Sequence, residues 1–215
     1  MYIKLGIIIP TYNSLNTLKV LVKNILDYTQ EDFIIYVVED GQRKETIGWL
    51  KTQNIKKILH KKNKGVAISW NDGIKRAKKD GCTHFAIFND DIELPEGWWE
   101  ECRDLFYKNA NLVTLPHSVA NIVISGWFFI IDRKCIERVG YFDEQFSPCF
   151  FEDLDYKYRC SINGIRTGIV NIDVYHHGGT TTYGELKESS NKSFNNNYHK
   201  FIKKHPKVRM QAQKI

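Results

Sequence analysis

The sequence predicts an α/β fold with a mostly parallel sheet covered by helices on both faces, and three observations carry that reading. Over the first 115 residues, short apolar runs of strand length alternate with stretches of helical periodicity. Strand, helix, strand repeated in this way gives parallel strands joined by crossovers, buried on both faces. The apolar runs are also followed by polar segments: Pro10-Thr11-Tyr12-Asn13, Glu39-Asp40-Gly41, Asn63-Lys64-Gly65 and Asn89-Asp90-Asp91. Finally, 215 residues with 42% hydrophobic and 13% aromatic content are enough for one large core, so a single domain is expected.

Taken in order, Leu5 to Ile9 reads as the first strand. Leu18, Leu21, Val22, Ile25 and Leu26 then follow i, i+3, i+4, i+7, i+8 spacing behind the capping candidates Ser14 and Asn16, which marks an amphipathic helix. Strands are predicted at Phe33 to Val38, Lys57 to Leu59, Phe85 to Phe88 and Leu112 to Leu115, and helices at Val66 to Ala77 and Trp98 to Phe106. After about residue 120 the character changes: Ile122 to Ile131 reads as a strand, Arg133 to Val139 as a short helix, and Asp153 to Asn163 as a helix closed by Gly164. From Thr180 the chain turns polar, and SSNKSFNNNYHKF reads equally as a lid, a polar helix or a partly disordered segment.

The formal charge is +6, concentrated between Lys51 and Lys79 and between Lys187 and Lys214. Such runs attract phosphate or anionic lipid, or are simply solvated faces. Nucleic acid is not an expected partner, because no recognised nucleic-acid module is present and the most informative segments are acidic. Five cysteines without a CxxC pair point away from a disulfide framework and towards a reducing compartment. MYIKLGIIIP lacks a signal-peptide pattern, and Ile122 to Ile131 is too short to cross a bilayer. The expectation is a soluble cytoplasmic protein, with room for peripheral contact at the cytosolic face of a membrane.

Three constellations carry chemistry. Between Lys79 and Arg103 there are seven acidic residues and no Lys or Arg. Two carboxylates ~4 Å apart repel by roughly 4 kcal/mol at an effective dielectric near 20, so Asp90 and Asp91 must separate into water, take a proton or share a cation. A hard divalent cation accepts such oxygens together with substrate phosphates, whereas an Asx turn would leave both acids solvated. The second constellation is SPCFFEDLDYKYRC, where Glu152, Asp153 and Asp155 lie at a helix start. They serve there either as charges favoured by the helix dipole or as a general base beside an apolar wall. The third is Tyr175-His176-His177-Gly178-Gly179-Thr180, two histidines before a flexible turn; in extended chain their rings point to opposite sides, so one at most meets a given metal. In an open parallel sheet, ligands bind outside the carboxyl ends of the strands, which is where the polar segments fall. The dinucleotide fingerprint GxGxxG and the Walker phosphate loop are both absent.

In that order IIIPTYN, VVEDG, NKGVAISWNDG, FNDDIEL, the GWFFIIDRKCIERVGYFDEQFSPCFFEDLDYKYRC block and HHGG resemble glycosyltransferase family 2, over about Leu5 to Thr181. The resemblance implies a single GT-A domain over residues 1–182, with a Rossmann-like sheet, a nucleotide-binding half at 1–115, an acceptor half at 116–182 and a basic tail at 183–215. It implies nucleotide-sugar contacts at Pro10, Thr11, Tyr12, Asn13, Asp40, Asn63, Asn71, Asn89 and Asp90, and a Mn2+ or Mg2+ ion at Asp91 and His176. Asn89 departs from the pattern by replacing an acid, which leaves Asp91 with most of the metal binding. The implied base is Asp153, with Glu152 second. The implied reaction moves a sugar, with inversion, from a nucleoside-diphosphate sugar, most commonly uridine-linked, to a hydroxyl of a glycan or other acceptor. Two alternatives stand beside it: a nucleotidyltransferase acting on sugar phosphates, and a non-catalytic carbohydrate-binding module.

Overall fold

The computed structural model describes residues 2–116, 118–119, 122–178 and 187–208. Strands β1 (Leu5–Thr11), β2 (Phe33–Glu39), β3 (Lys56–Leu59) and β4 (His84–Phe88) alternate with helices α1 (Leu15–Tyr28), α2 (Lys44–Thr52) and α3 (Val66–Lys79). Then follow β5 (Ile92–Glu93), α4 (Trp98–Tyr107), β6 (Leu112–Thr114), β7 (Ser118–Val119), β8 (Ile122–Val123) and β9 (Phe128–Asp132). The remaining elements are α5 (Arg133–Val139), α6 (Glu152–Ile162), β10 (Thr167–Ile169), β11 (Tyr175–His176) and α7 (Lys187–Lys204). Seven strands form one sheet in the order β10-β6-β9-β4-β1-β2-β3. All neighbours in it are parallel except β9, which runs antiparallel to both β4 and β6.

The two faces of β1 follow from its pleat, since successive side chains point to opposite sides. Ile7 and Ile9 join Leu18, Leu21, Val22 and Ile25 of α1 in one core, which continues under Trp98, Trp99 and Phe106 of α4. Ile8 lies on the other side with Trp70 and Ile74 of α3, together with residues of α5 and α6. From β1 the chain winds outward through β2 to β3, then returns to lay β4 on the opposite side of β1. That reversal opens a crevice at the carboxyl ends of β1 and β4, where an open sheet takes its ligands. A third, smaller cluster of Phe146, Phe151, Leu154 and Phe201 joins α7 to the start of α6.

Two elements differ from expectation, and a third resolves among its readings. The single strand read over Ile122 to Ile131 is two, β8 and β9, because Gly126 and Trp127 form a turn closed by a bridge between Ser125 and Phe128. Helix α2 was not anticipated; it buries only Thr46 and Leu50, too few positions to register as a period. The C-terminal stretch contains the polar helix among its three readings, with residues 179–186 outside the described residues. Gly164, at φ 65, does close α6: its amide donates to Ser161 and that of Ile165 to Cys160. All five cysteines are free thiols. Among the described residues, no helix is long and apolar enough to cross a membrane.

Candidate active site

Pro10, Thr11 and Tyr12 at the end of β1, Asp40 beyond β2, Asn63 and Gly65 ahead of α3, and Asn89 and Asp90 beyond β4 line one cleft. Pro148 and Cys149 close its other side. The empty space of the cleft, its open mouth included, is about 610 Å³. Asp90 is buried in this cleft, and burial raises its carboxyl to about 7. The hydroxyls of Thr11 and Ser14 oppose that rise, while the charge of Asp91 adds to it.

Seven of the nine residues expected to contact a nucleotide sugar therefore fall on the cleft wall. Asn13 and Asn71 do not. Asn13 packs its side-chain oxygen against the backbone of Gly41, where a Cβ would come within 2.5 Å of it. Asn71 faces the other way from α3: its Nδ2 donates to the Phe142 carbonyl and Glu144 Oε1, and its Oδ1 accepts from the Phe142 amide, each at 2.9 Å. It ties the 142–144 loop to α3, with both ends of the amide satisfied. Asp40 reaches the cleft, but its carboxylate is already engaged. Its oxygens accept from the amides of Lys64 and Gly65 and lie 2.7 Å from His60 Nδ1. On this geometry Asp40 shapes the Asn63-Lys64-Gly65 loop. His60, buried between Asp40 and Asp72, is part of that floor and was not singled out from sequence.

A second group converges beside the cleft. Antiparallel pairing of β11 with β5 sets His176 opposite Ile92 and brings His176 Nε2 to 3.3 Å from Asp91 Oδ1. His177 takes the other direction, as strand alternation requires, and meets Glu93 at 2.8 Å. The Trp127 ring stacks on His176, with centroids 4.6 Å apart and planes at 16°. Its neighbour Gly126 abuts Asp153: a Cβ there would lie 2.1 Å from Asp153 Oδ2. The Gly126-Trp127 turn thus connects Asp153 on one side to His176 and Asp91 on the other. Gly126 was not among the sequence candidates, although it stands at the head of the GWFF run.

Glu152 and Asp153 open α6 but differ in environment. Glu152 is buried, its Oε2 has no hydrogen-bond partner among the described residues, and burial followed by repulsion from Asp153 raises its pKa well above the carboxylate range. Asp153 is half-buried, and its Oδ1 accepts from the Leu154 amide at 2.8 Å. Asp155, fully buried, is paired with Arg159 and Lys204 and lies 2.7 Å from His205 Nε2. Among the described residues no three His, Cys, Asp or Glu side chains form a complete metal cage. Asp91 and His176 fit the lesser demand of a Mn2+ or Mg2+ ion that takes its remaining oxygens from a substrate diphosphate.

Comparison with known proteins supplies the family and the fold. The sequence model described as Glycosyl transferase family 2 matches residues 6–156. An uncharacterized glycosyltransferase of Rickettsia felis is 34% identical over 151 residues, which is 69% of this chain and 22% of the relative. The chain spans only 16–22% of the length of the curated relatives it matches. Among solved structures, S. aureus TarS 1-349 has a TM-score of 0.68 at 14% identity, covering 94% of this chain and 74% of its own. The mannosyltransferase PcManGT of Pyrobaculum calidifontis, in complex with GDP-Man and Mn2+, has a TM-score of 0.63 at 16% identity, covering 80% and 56%. At such identities the likeness concerns the fold.

Proposed function

The chain belongs to glycosyltransferase family 2 and has the GT-A fold, and from that premise we propose that it transfers a sugar from a nucleoside-diphosphate sugar, uridine-linked, to a hydroxyl of a glycan or other acceptor. The observation that carries the proposal is the cleft at the carboxyl ends of β1 and β4, with the Asp91–His176 pair and Asp153 grouped around one turn beside it. Pro10, Thr11, Tyr12, Asn63, Asn89 and Asp90 hold the nucleotide sugar, and Asp40 holds the Asn63-Lys64-Gly65 loop. Residues 1–115 form the nucleotide half and 116–182 the acceptor half.

Asp153 is the base. It takes the proton of the acceptor hydroxyl, whose oxygen then attacks the anomeric carbon from the side opposite the diphosphate. The bond to the diphosphate breaks, the nucleoside diphosphate leaves with the electron pair, and the configuration inverts. Glu152 is poorly suited to that step, because burial favours its protonated form. A Mn2+ or Mg2+ ion held by Asp91 and His176 would supply positive charge against the developing diphosphate. The exposed Lys56, Lys57, Lys61 and Lys62 add peripheral contact with an anionic membrane to the same proposal.

A thermal-shift series with UDP, GDP, UDP-N-acetylglucosamine and GDP-mannose, each with and without Mn2+, tests the proposal. A shift that requires the metal and is lost in Asp91→Asn is the expected result. A metal-independent shift, or one that survives in Asp91→Asn, would remove the metal from the proposal, and no shift with any nucleotide would remove the donor.

A further inference from the structure

Helix α7 lies beyond the residues matched by the family model, and the mechanism above leaves it unused. Yet it grips the segment that carries Glu152 and Asp153. That segment is strained: Phe150 and Phe151, immediately before α6, have φ of 75 and 73. A bulky residue in the left-handed region costs about 1–3 kcal/mol and persists only where its surroundings hold it.

Asn197 supplies the holding contacts. Its side chain is fully buried, and Nδ2 donates to the carbonyl of Cys149 at 2.9 Å and to that of Phe150 at 3.3 Å. Its Oδ1 accepts from Lys200 Nζ at 2.9 Å, and the same ammonium reaches the Gln145 carbonyl at 2.7 Å. The rings of Phe194 and Phe201 pack on Phe151 at 5.1 and 5.6 Å between centroids. One turn further, Lys204 and His205 hold Asp155 at 2.6 and 2.7 Å. Positions 194, 197 and 201 lie on one face of α7, as helical spacing dictates, and His205 continues that side just past the helix end, so this part of α7 meets the entry to α6. A neutral amide fits the turn because it offers two hydrogens to two carbonyls, which an aspartate would repel and a leucine could not bond.

We propose that α7 is a strut for the turn that aims Asp153, and that Asn197 is its positioning residue. The assignment rests on Asp153 as the base, while its structural half stands independently. The test is Asn197→Leu, compared with the parent for amide hydrogen exchange over residues 149–156, UDP and GDP affinity, and nucleoside diphosphate release from UDP-N-acetylglucosamine or GDP-mannose with Mn2+, water serving as acceptor. Expected are faster exchange at 149–156, unchanged nucleotide affinity, and a kcat lower by about 10–100-fold, the effect of displacing a reacting group by about an ångström or less. Unaltered exchange and turnover, or turnover and nucleotide affinity falling together, would overturn the proposal. If Asn197→Leu does not fold, Lys200→Met carries the same readouts with an expected loss of about two- to fivefold, as for one weakened hydrogen bond; no change would overturn it. Should the parent release nucleotide from neither donor, the transferase reading fails, and exchange at 149–156 alone decides the role of α7.

Discussion

Gly126 has its place because anything larger would occupy the space of the Asp153 carboxylate, 2.1 Å from where its Cβ would stand. The obstructed atom is the end of a rotatable side chain, so Gly126→Ala swings the carboxylate aside instead of breaking the fold. Its expected signature is a transfer rate lower by about tenfold or more with nucleotide affinity and melting temperature little changed, read by kinetics and calorimetry on the same variant. Glu152 makes the complementary prediction. Its carboxyl is raised in the fold by burial and by Asp153, so from about pH 5 upward the folded protein holds a proton that the unfolded chain has released, and stability falls as pH rises. Glu152→Gln removes that penalty; its melting temperature should exceed the parent's by a margin that widens as pH rises above the ordinary glutamate range, and a margin that narrows would contradict the burial account. Residue identity exposed Asp90, Asp91, Asp153 and His176 to sequence reading, because their chemistry is carried in the side chain. It did not expose Gly126, whose contribution is an absence, nor the orientation of Asn71, which turns on what the 142–144 loop needs across the fold.

At the scale of elements, α3 and β1 approach so closely that a Cβ on Gly73 would lie 2.4 Å from Ile8 Cγ2. Two effects then compete in Gly73→Ala. Helix propensity gains up to about 1 kcal/mol, while overpacking a tight core costs about 1–3 kcal/mol. Overpacking wins, and denaturant unfolding should show a net loss of about 1–2 kcal/mol, with a net gain excluding so tight a contact. Most elements readable from sequence had their period written in side chains: β1, β2, β4, α1 and α3 each bury three or more apolar residues in register, whereas β3 and α5 were read from shorter patterns that bury less. Those that were missed or merged lacked that signal. Helix α2 buries two positions, and β8 and β9 read as one strand because their separating turn is short and contains an apolar Trp127. Helix α7 hides Phe194, Tyr198 and Phe201 among serines, asparagines and lysines, so composition pointed to solvent where spacing pointed to a packed face.

For the molecule as a whole, charge is separated by position. The cleft and its flank hold Asp90, Asp91 and Asp153, whereas Lys56, Lys57, Lys61 and Lys62 stand exposed on and just beyond β3, the outermost strand on that side of the sheet. Lysines there protect an open strand edge from pairing with another sheet, and they also form a positive face. Each basic residue near an anionic bilayer contributes about 1 kcal/mol, so four give about 4 kcal/mol: enough for measurable binding to vesicles at low ionic strength and too little for permanent attachment. The Debye length falls from about 10 Å at 0.1 M to about 3 Å at 1 M, so the attraction must fade with salt. The protein should therefore co-sediment with phosphatidylserine-containing vesicles in dilute buffer, not with purely zwitterionic ones, and should be released at about 0.5 M salt. Exchanging all four lysines for glutamine should abolish the binding without altering the nucleotide-induced thermal shift, because none of the four lines the cleft. Binding that survives either the salt or the exchange would place the attraction elsewhere, and its absence in dilute buffer would leave edge protection as the work of these lysines.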